Sequence, residues 1–160
     1  MRKKILVVDD NTELLHLLRL SFKAEGFSIA TATNGIEALR KARALLPNLV
    51  LLDLVLPELD GFAVCETLRR GRETASIPIL ILTGLSSEFA RFAGMEAGAT
   101  AYLVKPQSPK SIVAKVKELL AQAPTPPPAR KQTKSAGHGC AGECRRHAIL
   151  VERATSGAVA

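Results

Sequence analysis

"LVLLDLVLPELDG", residues 49–61, sets four apolar residues ahead of one carboxylate, Asp53, and then runs through Pro57 into further acids and a glycine. A short, continuous apolar run bounded by turn residues reads as a strand buried on both faces, and such strands belong to parallel sheets covered by helices. In an open parallel sheet, ligands bind in the crevice outside the carboxyl ends of the strands. An acid that closes such a strand therefore stands where chemistry happens.

The same pattern recurs on both sides of this stretch. Residues 1–123 alternate short β-branched or Leu-rich runs with longer segments of helical period, the signature of βα units around a parallel sheet. Five units are predicted, with strands at "KKILVV", "FSIATA", "NLVLLD", "IPILIL" and "TAYLV". The first, third and fourth are apolar enough to be central. Leu14, Leu17 and Leu18 mark the first helix, with Gly26 as its stop, and Ile36, Leu39 and Arg43 mark the second, closed by Pro47. Phe62, Cys65 and Leu68 mark the third. The fourth carries Phe89, Phe92 and Met95 among small residues, and the fifth sets Ile112, Val116 and Leu119 opposite Lys115 and Lys117.

Composition bounds the rest. At 160 residues and 47% hydrophobic, the chain holds one ordinary domain plus a surplus. Its longest apolar runs fall far short of the roughly 18 residues that argue for a membrane span, and "MRKK" followed by "ILVV" is cut off by Asp9 and Asp10 before an export-length segment builds up. A cytoplasmic protein without membrane insertion is expected. Three cysteines (Cys65, Cys140 and Cys144) are an odd count that argues for reduced thiols rather than a disulfide framework. The net charge of +7 is uneven: residues 1–123 hold 16 Lys and Arg against 13 Asp and Glu, and residues 124–160 hold 6 against 2. From "PTPPP" onward the periodicity stops, so residues 124–160 read as a proline-rich linker and a basic, disordered tail after a domain at 1–123.

The unusual polar residues gather at the predicted strand ends: Asp9 and Asp10 after the first, Asp53 after the third, Thr83 after the fourth and Lys105 after the fifth. Singly, each has an ordinary explanation as a cap, a turn hydroxyl or a loop cation. Jointly they make one site. Three crowded carboxylates raise one another's pKa unless a cation sits among them, and Mg²⁺ takes one or two carboxylates with phosphate oxygens and water. A carboxylate can attack phosphorus to give an acyl phosphate, and phosphoryl transfer needs chiefly positioning and charge neutralisation, which Lys105 and Thr83 would help supply.

These motifs resemble the receiver domain of bacterial two-component response regulators, most closely the single-domain chemotaxis type, over residues 4–121. "ILVVDDN" resembles the family's acidic-pair strand, "LLDLVLPELDGF" its phosphoacceptor strand and loop, "ILTG" its switch-threonine strand and "AGATAYLVKP" its aromatic-plus-lysine strand. The resemblance implies a flavodoxin-like α/β fold, a doubly wound five-stranded parallel sheet of order 2-1-3-4-5. It implies that Asp53 is the phosphoacceptor. Asp9, Asp10, Asp53 and the backbone carbonyl of Val55 would hold Mg²⁺, Thr83 and Lys105 would contact the phosphoryl group, and Tyr102 would be the rotating aromatic of the switch. The implied partners are a sensor histidine kinase or histidine phosphotransfer protein and a downstream protein that reads the helix 4, strand 5 and helix 5 face. The module would be no enzyme in the usual sense, a phosphoacceptor that assists its own phosphorylation and dephosphorylation. In the family, side chains two residues after the phosphoacceptor and two after the switch threonine influence the hydrolytic water; here they are Val55 and Leu85. Pro57 fixes φ in the loop and Gly61 is expected to supply unusual backbone angles at the loop-to-helix junction. Gly84 stands where alanine is commoner, and Gln107 where a bulky residue is usual.

Two other functional classes compete with signalling by protein contact. An aspartyl-nucleophile phosphatase places a second Asp two residues after the nucleophile, where this chain has Val55. A DNA-binding regulator needs a recognition helix, and the 37 residues of the tail show no pattern for one, although Arg130, Lys131, Lys134, Arg145 and Arg146 could attract phosphates, so specific DNA binding is not expected. His138, Cys140, Cys144 and His147 offer four zinc ligands within ten residues, a spacing more compressed than structural zinc sites use.

Overall fold

The computed structural model describes residues 1–122. Strands β1 (Lys4–Val8), β2 (Ser28–Ala32), β3 (Leu49–Leu52), β4 (Ile79–Thr83) and β5 (Ala101–Val104) alternate with helices α1 (Thr12–Ala24), α2 (Gly35–Leu45), α3 (Gly61–Arg70), α4 (Glu88–Glu96) and α5 (Pro109–Gln122). The strands form one parallel sheet in the order β2-β1-β3-β4-β5, the order that the family resemblance implies. β3 and β4 are buried along their whole length, and β1 in all but its first residue.

Alternation along the strands divides the core. Ile5, Val7, Leu49, Leu51, Leu80 and Leu82 point to one face, where Leu15, Leu18 and Phe22 of α1 and Ile112, Val113, Val116, Leu119 and Leu120 of α5 cover them. Leu6, Val8, Val50, Leu52, Ile79, Ile81 and Tyr102 point to the other, under Ala38 and Ala42 of α2 and Val64, Cys65 and Leu68 of α3.

Three helices are rotated from their predicted faces. In α1 the buried stripe is Leu15, Leu18 and Phe22, and Leu17 is exposed. Two apolar stripes overlap on this helix, and the one carrying Phe22 wins because its ring fills more of the interior, edge-on to Phe27 at 5.9 Å between centroids. In α2 the buried residues are Gly35, Ala38 and Ala42, while Ile36 is exposed. Close approach decides this case: a Cβ at Gly35 would lie 2.2 Å from the Leu59 carbonyl oxygen. In α4 only Ala90 and Gly94 are buried, and Phe89 and Phe92, 81% and 65% exposed, face out with Met95. The fifth helix keeps its predicted face. Leu46, in the left-handed region at φ 42°, ends α2 one residue before Pro47.

Candidate functional site

The register of the central strands builds the site. Val8 pairs with Leu52, so β1 and β3 end level, and the Asp53 N–H donates to the Val8 carbonyl at 2.9 Å. Thr83 pairs with Val104, and the Lys105 N–H donates to the Thr83 carbonyl at 2.8 Å. Parallel pairing alone thus sets Asp9 beside Asp53 and Thr83 beside Lys105 at one sheet edge.

Local contacts then fix the side chains. Asn11 caps α1 by accepting from the N–H groups of Glu13 and Leu14, and its own N–H donates to Asp9 Oδ1 at 2.9 Å. The cap that starts the helix therefore also orients the first acid. Asp53 Oδ1 accepts from the Val55 N–H at 3.1 Å. Gly61 has a steric role rather than the predicted torsional one: a Cβ there would lie 2.3 Å from the Asp53 carbonyl oxygen and 2.6 Å from the Leu54 Cα. Its N–H donates to the Leu54 carbonyl at 2.9 Å, closing the loop after β3 tightly beneath the acid.

Asp9 and Asp53 are buried and Asp10 is exposed, and one carboxylate oxygen of each lies within 4.8 Å of those of the other two. The Lys105 ammonium donates to Asp9 Oδ2 at 2.5 Å and Asp53 Oδ2 at 2.8 Å. Burial raises the Asp9 pKa above the usual aspartate value, against the lowering effect of Lys105 and the Asn11 N–H. Burial alone would lower the Lys105 pKa, but its hydrogen bonds to Asp53 and Asp9 outweigh that and hold it raised. Lysine stays charged and is the fixed cation of the cluster. The predicted alternative, a solvated loop cation, is displaced by these two contacts.

Thr83 is fully buried at the end of β4, and its hydroxyl accepts from the Leu85 N–H at 3.4 Å. Tyr102 lies in the core beneath α4, with its hydroxyl donating to the Leu85 carbonyl at 2.8 Å. The Tyr102 ring is thus turned inward in this structure. Room for it comes from Gly94, whose missing Cβ would meet Ile81 Cδ1 at 2.9 Å and the ring at 3.2 Å. Val55 and Leu85 are 56% and 37% exposed and present apolar side chains to solvent. Cys65 is buried in α3 away from this edge, and burial pushes its thiol up to about 11.

All five polar residues singled out from the sequence thus meet at one edge, with Tyr102 beside them. The sequence did not reveal the anchoring of Asp9 by Asn11, whose signal was the N-cap pattern, or the contact of Gly61 with Asp53. His138, Cys140, Cys144 and His147, and the proposed tail as a whole, lie outside the described residues.

A doubly wound parallel sheet with an acidic cluster, a lysine and a threonine at its carboxyl edge defines a phosphate-handling signalling module of the receiver type. The model of the response regulator receiver domain matches residues 5–117, and the chain belongs to that family. The chain is 44% identical over 120 residues to the alkaline phosphatase synthesis transcriptional regulatory protein PhoP of Bacillus subtilis, covering 75% of this chain and 49% of that protein. It is 42% identical over 120 residues to the DNA-binding response regulator MtrA of Mycolicibacterium paratuberculosis, covering 75% and 52%. The chain spans about half the length of these relatives. Among solved structures, a response regulator from Chloroflexus aurantiacus superposes with a TM-score of 0.72 at 36% identity, covering 76% of this chain and 99% of that one. The chemotaxis protein CheY4 of Vibrio cholerae gives 0.71 at 29%, covering 74% and 98%. The domain is thus a phosphorylation-activated signalling module of a two-component system, a phosphoacceptor rather than a typical enzyme, and receiver domains of this kind interact with histidine kinases. No helix among the described residues is long and apolar enough to cross a membrane.

Proposed function

We propose that Asp53 accepts the phosphoryl group and that the other residues of the cluster prepare it to do so. The carrying observation is that the Lys105 ammonium bridges Asp9 and Asp53 beside the exposed Asp10. Three hard oxygen donors within 4.8 Å fit Mg²⁺, with Asp9, Asp10, Asp53 and the Val55 carbonyl as its holders. Bound there, the ion would neutralise phosphate oxygens. Lys105 holds Asp53 in place and offers a second cation to the incoming phosphoryl group, and buried Thr83 offers a hydroxyl donor to the same oxygens. An Asp53 oxygen attacks phosphorus, the P–N bond of a donor phosphohistidine breaks, and the leaving imidazole keeps the electron pair. The same site assists later hydrolysis by water.

Phosphorylation then acts on α4. Thr83, Leu85 and Tyr102 form one chain of contacts from the pocket to that helix, and Phe89, Phe92 and Met95 offer a partner protein an apolar surface beside β5 and α5. The setting is cytoplasmic, with a histidine kinase or phosphotransfer protein as donor. A second reading, a regulator that binds nucleic acid through the basic tail, draws on the names of the relatives and the charge of residues 124–160; salt-sensitive binding of arbitrary DNA by the full chain would favour it. The phosphatase reading is not supported, because Val55 has no titratable group to serve as acid or base.

Acetyl phosphate tests the phosphoacceptor. Intact-mass measurement should show one phosphate adduct that requires Mg²⁺ and disappears in Asp53→Asn. An undiminished adduct in that variant refutes the assignment.

A further inference from the structure

The two ends of α4 are fastened very differently. At its carboxyl end, Gly98 at φ +103° sends its N–H to the Met95 carbonyl at 3.0 Å, and Ala99 sends its N–H to the Gly94 carbonyl at 3.1 Å, a Schellman closure. The last turn of α4 has no basic residue of its own. The cation comes instead from α3: Arg69 Nε donates to the Gly98 carbonyl at 2.7 Å. The same guanidinium donates to the carbonyls of Ile77 at 2.7 Å and Ala75 at 2.9 Å, and reaches the Thr100 hydroxyl at 3.5 Å. Thr100 in turn accepts from the Ile79 N–H at 3.1 Å. The arginine stem lies directly under Gly98, where a Cβ would come 2.6 Å from its Cγ.

At the amino end, Ser87 caps the helix by accepting from the Ala90 N–H at 3.2 Å, and the segment before it is tied to the core through the Tyr102 hydroxyl on the Leu85 carbonyl. Along the middle, only Ala90 and Gly94 are buried. The firm end is remote from the phosphate pocket, because Ile77 and Thr100 precede β4 and β5 while Thr83 and Lys105 close them.

We infer that Arg69 is the fixed pivot of α4: it locks the carboxyl end of the helix to α3 and the start of β4, so that phosphorylation moves α4 as a lever from its amino end. This rests on the proposal that phosphorylation of Asp53 acts on α4. A guanidinium is suited to the task because its planar fork holds five N–H donors in a fixed geometry that reaches three carbonyls and a hydroxyl on separate segments, whereas an ammonium offers three donors from a single point. Arg69 touches neither Asp53 nor Lys105 in these contacts, so its role is one of positioning.

Amide exchange of the full chain, with and without beryllofluoride and Mg²⁺, tests the pivot. In the parent, changes should be large across residues 85–92 and less than twofold across 95–101. Arg69→Met should raise exchange at 97–101 by tenfold or more and spread the beryllofluoride response along the whole helix, with Arg69→Lys intermediate. All three proteins should form the acetyl phosphate adduct at the same rate. A parent response as large at 95–101 as at 85–92, or an unchanged gradient in Arg69→Met, overturns the pivot while leaving the phosphoacceptor intact. If the methionine variant does not fold, the parent gradient and the lysine variant still decide. Absence of both the adduct and any beryllofluoride response overturns the phosphoacceptor and the pivot together.

Discussion

α3 and α4 flank β4 on the same face of the sheet and are of similar length, 10 and 9 residues, yet they are held in opposite ways. α3 buries Val64, Cys65 and Leu68 in the core and begins at Gly61, wedged against the backbone of Asp53. α4 buries an alanine and a glycine and turns its aromatic residues outward. Apolar burial contributes roughly 25 cal/mol per Å², so helix α3 is part of the frame while α4 adheres weakly along its length. A site that must signal needs both, a rigid support for the acid and a neighbour that small forces can move.

Truncation should show the contrast most strongly. Leu68→Ala is expected to destabilise the domain by about 2–5 kcal/mol, while Phe92→Ala should change stability by no more than about 0.5 kcal/mol, both read from urea unfolding midpoints. Equal losses would erase the distinction between frame and lever. Next in size is the lifetime of the phosphoryl group. Val55 and Leu85 cannot orient a water, and Val55→Asn with Leu85→Glu should speed phosphate loss about tenfold, equivalent to roughly 1.4 kcal/mol of barrier. Identical decay in the parent would show that Ser86 or Ser87 already serves, or that these positions do not set the rate.

A smaller effect concerns the acids. Burial raises the Asp9 pKa, so its ionisation opposes folding: the penalty is absent below the unfolded value near 3.8 and grows as pH rises through the folded value. Asp9→Asn should therefore stabilise the domain at neutral pH and lose that advantage at pH 3, as read from unfolding midpoints at the two pH values, while weakening Mg²⁺-dependent phosphorylation. Lys105 has the opposite linkage. Its raised pKa contributes stability at neutral pH that is lost as pH climbs through the folded value above 10.5. The smallest effect is expected at Gly84, where nothing lies within 4 Å of an added Cβ; Gly84→Ala should leave stability and phosphorylation nearly unchanged.

Strands and pocket acids were legible because each has a local signature: β-branched runs of the right length, and a polar residue at the point where each run stops. The faces of α1, α2 and α4 were not, because apolar periodicity cannot tell which of two stripes faces in. Residue size settled it, a large ring in α1 and small residues where α2 and α4 approach their neighbours closely. Arg69 was invisible for a different reason. Its acceptors are mainly backbone carbonyls, which every residue carries and no sequence pattern marks. The Gly61 contact likewise depends on where the chain after β3 returns, a tertiary fact.

The central claim is that the signal leaves Asp53 through α4 and not α3. Backbone amide chemical shifts of the full chain, recorded before and after saturation with beryllofluoride and Mg²⁺, test it most directly. Large shifts are expected at the pocket, through residues 83–92 and at Tyr102, with Val64, Cys65 and Leu68 nearly unmoved. Shifts confined to the pocket with nothing at residues 86–105, or equal shifts in the two helices, would contradict it.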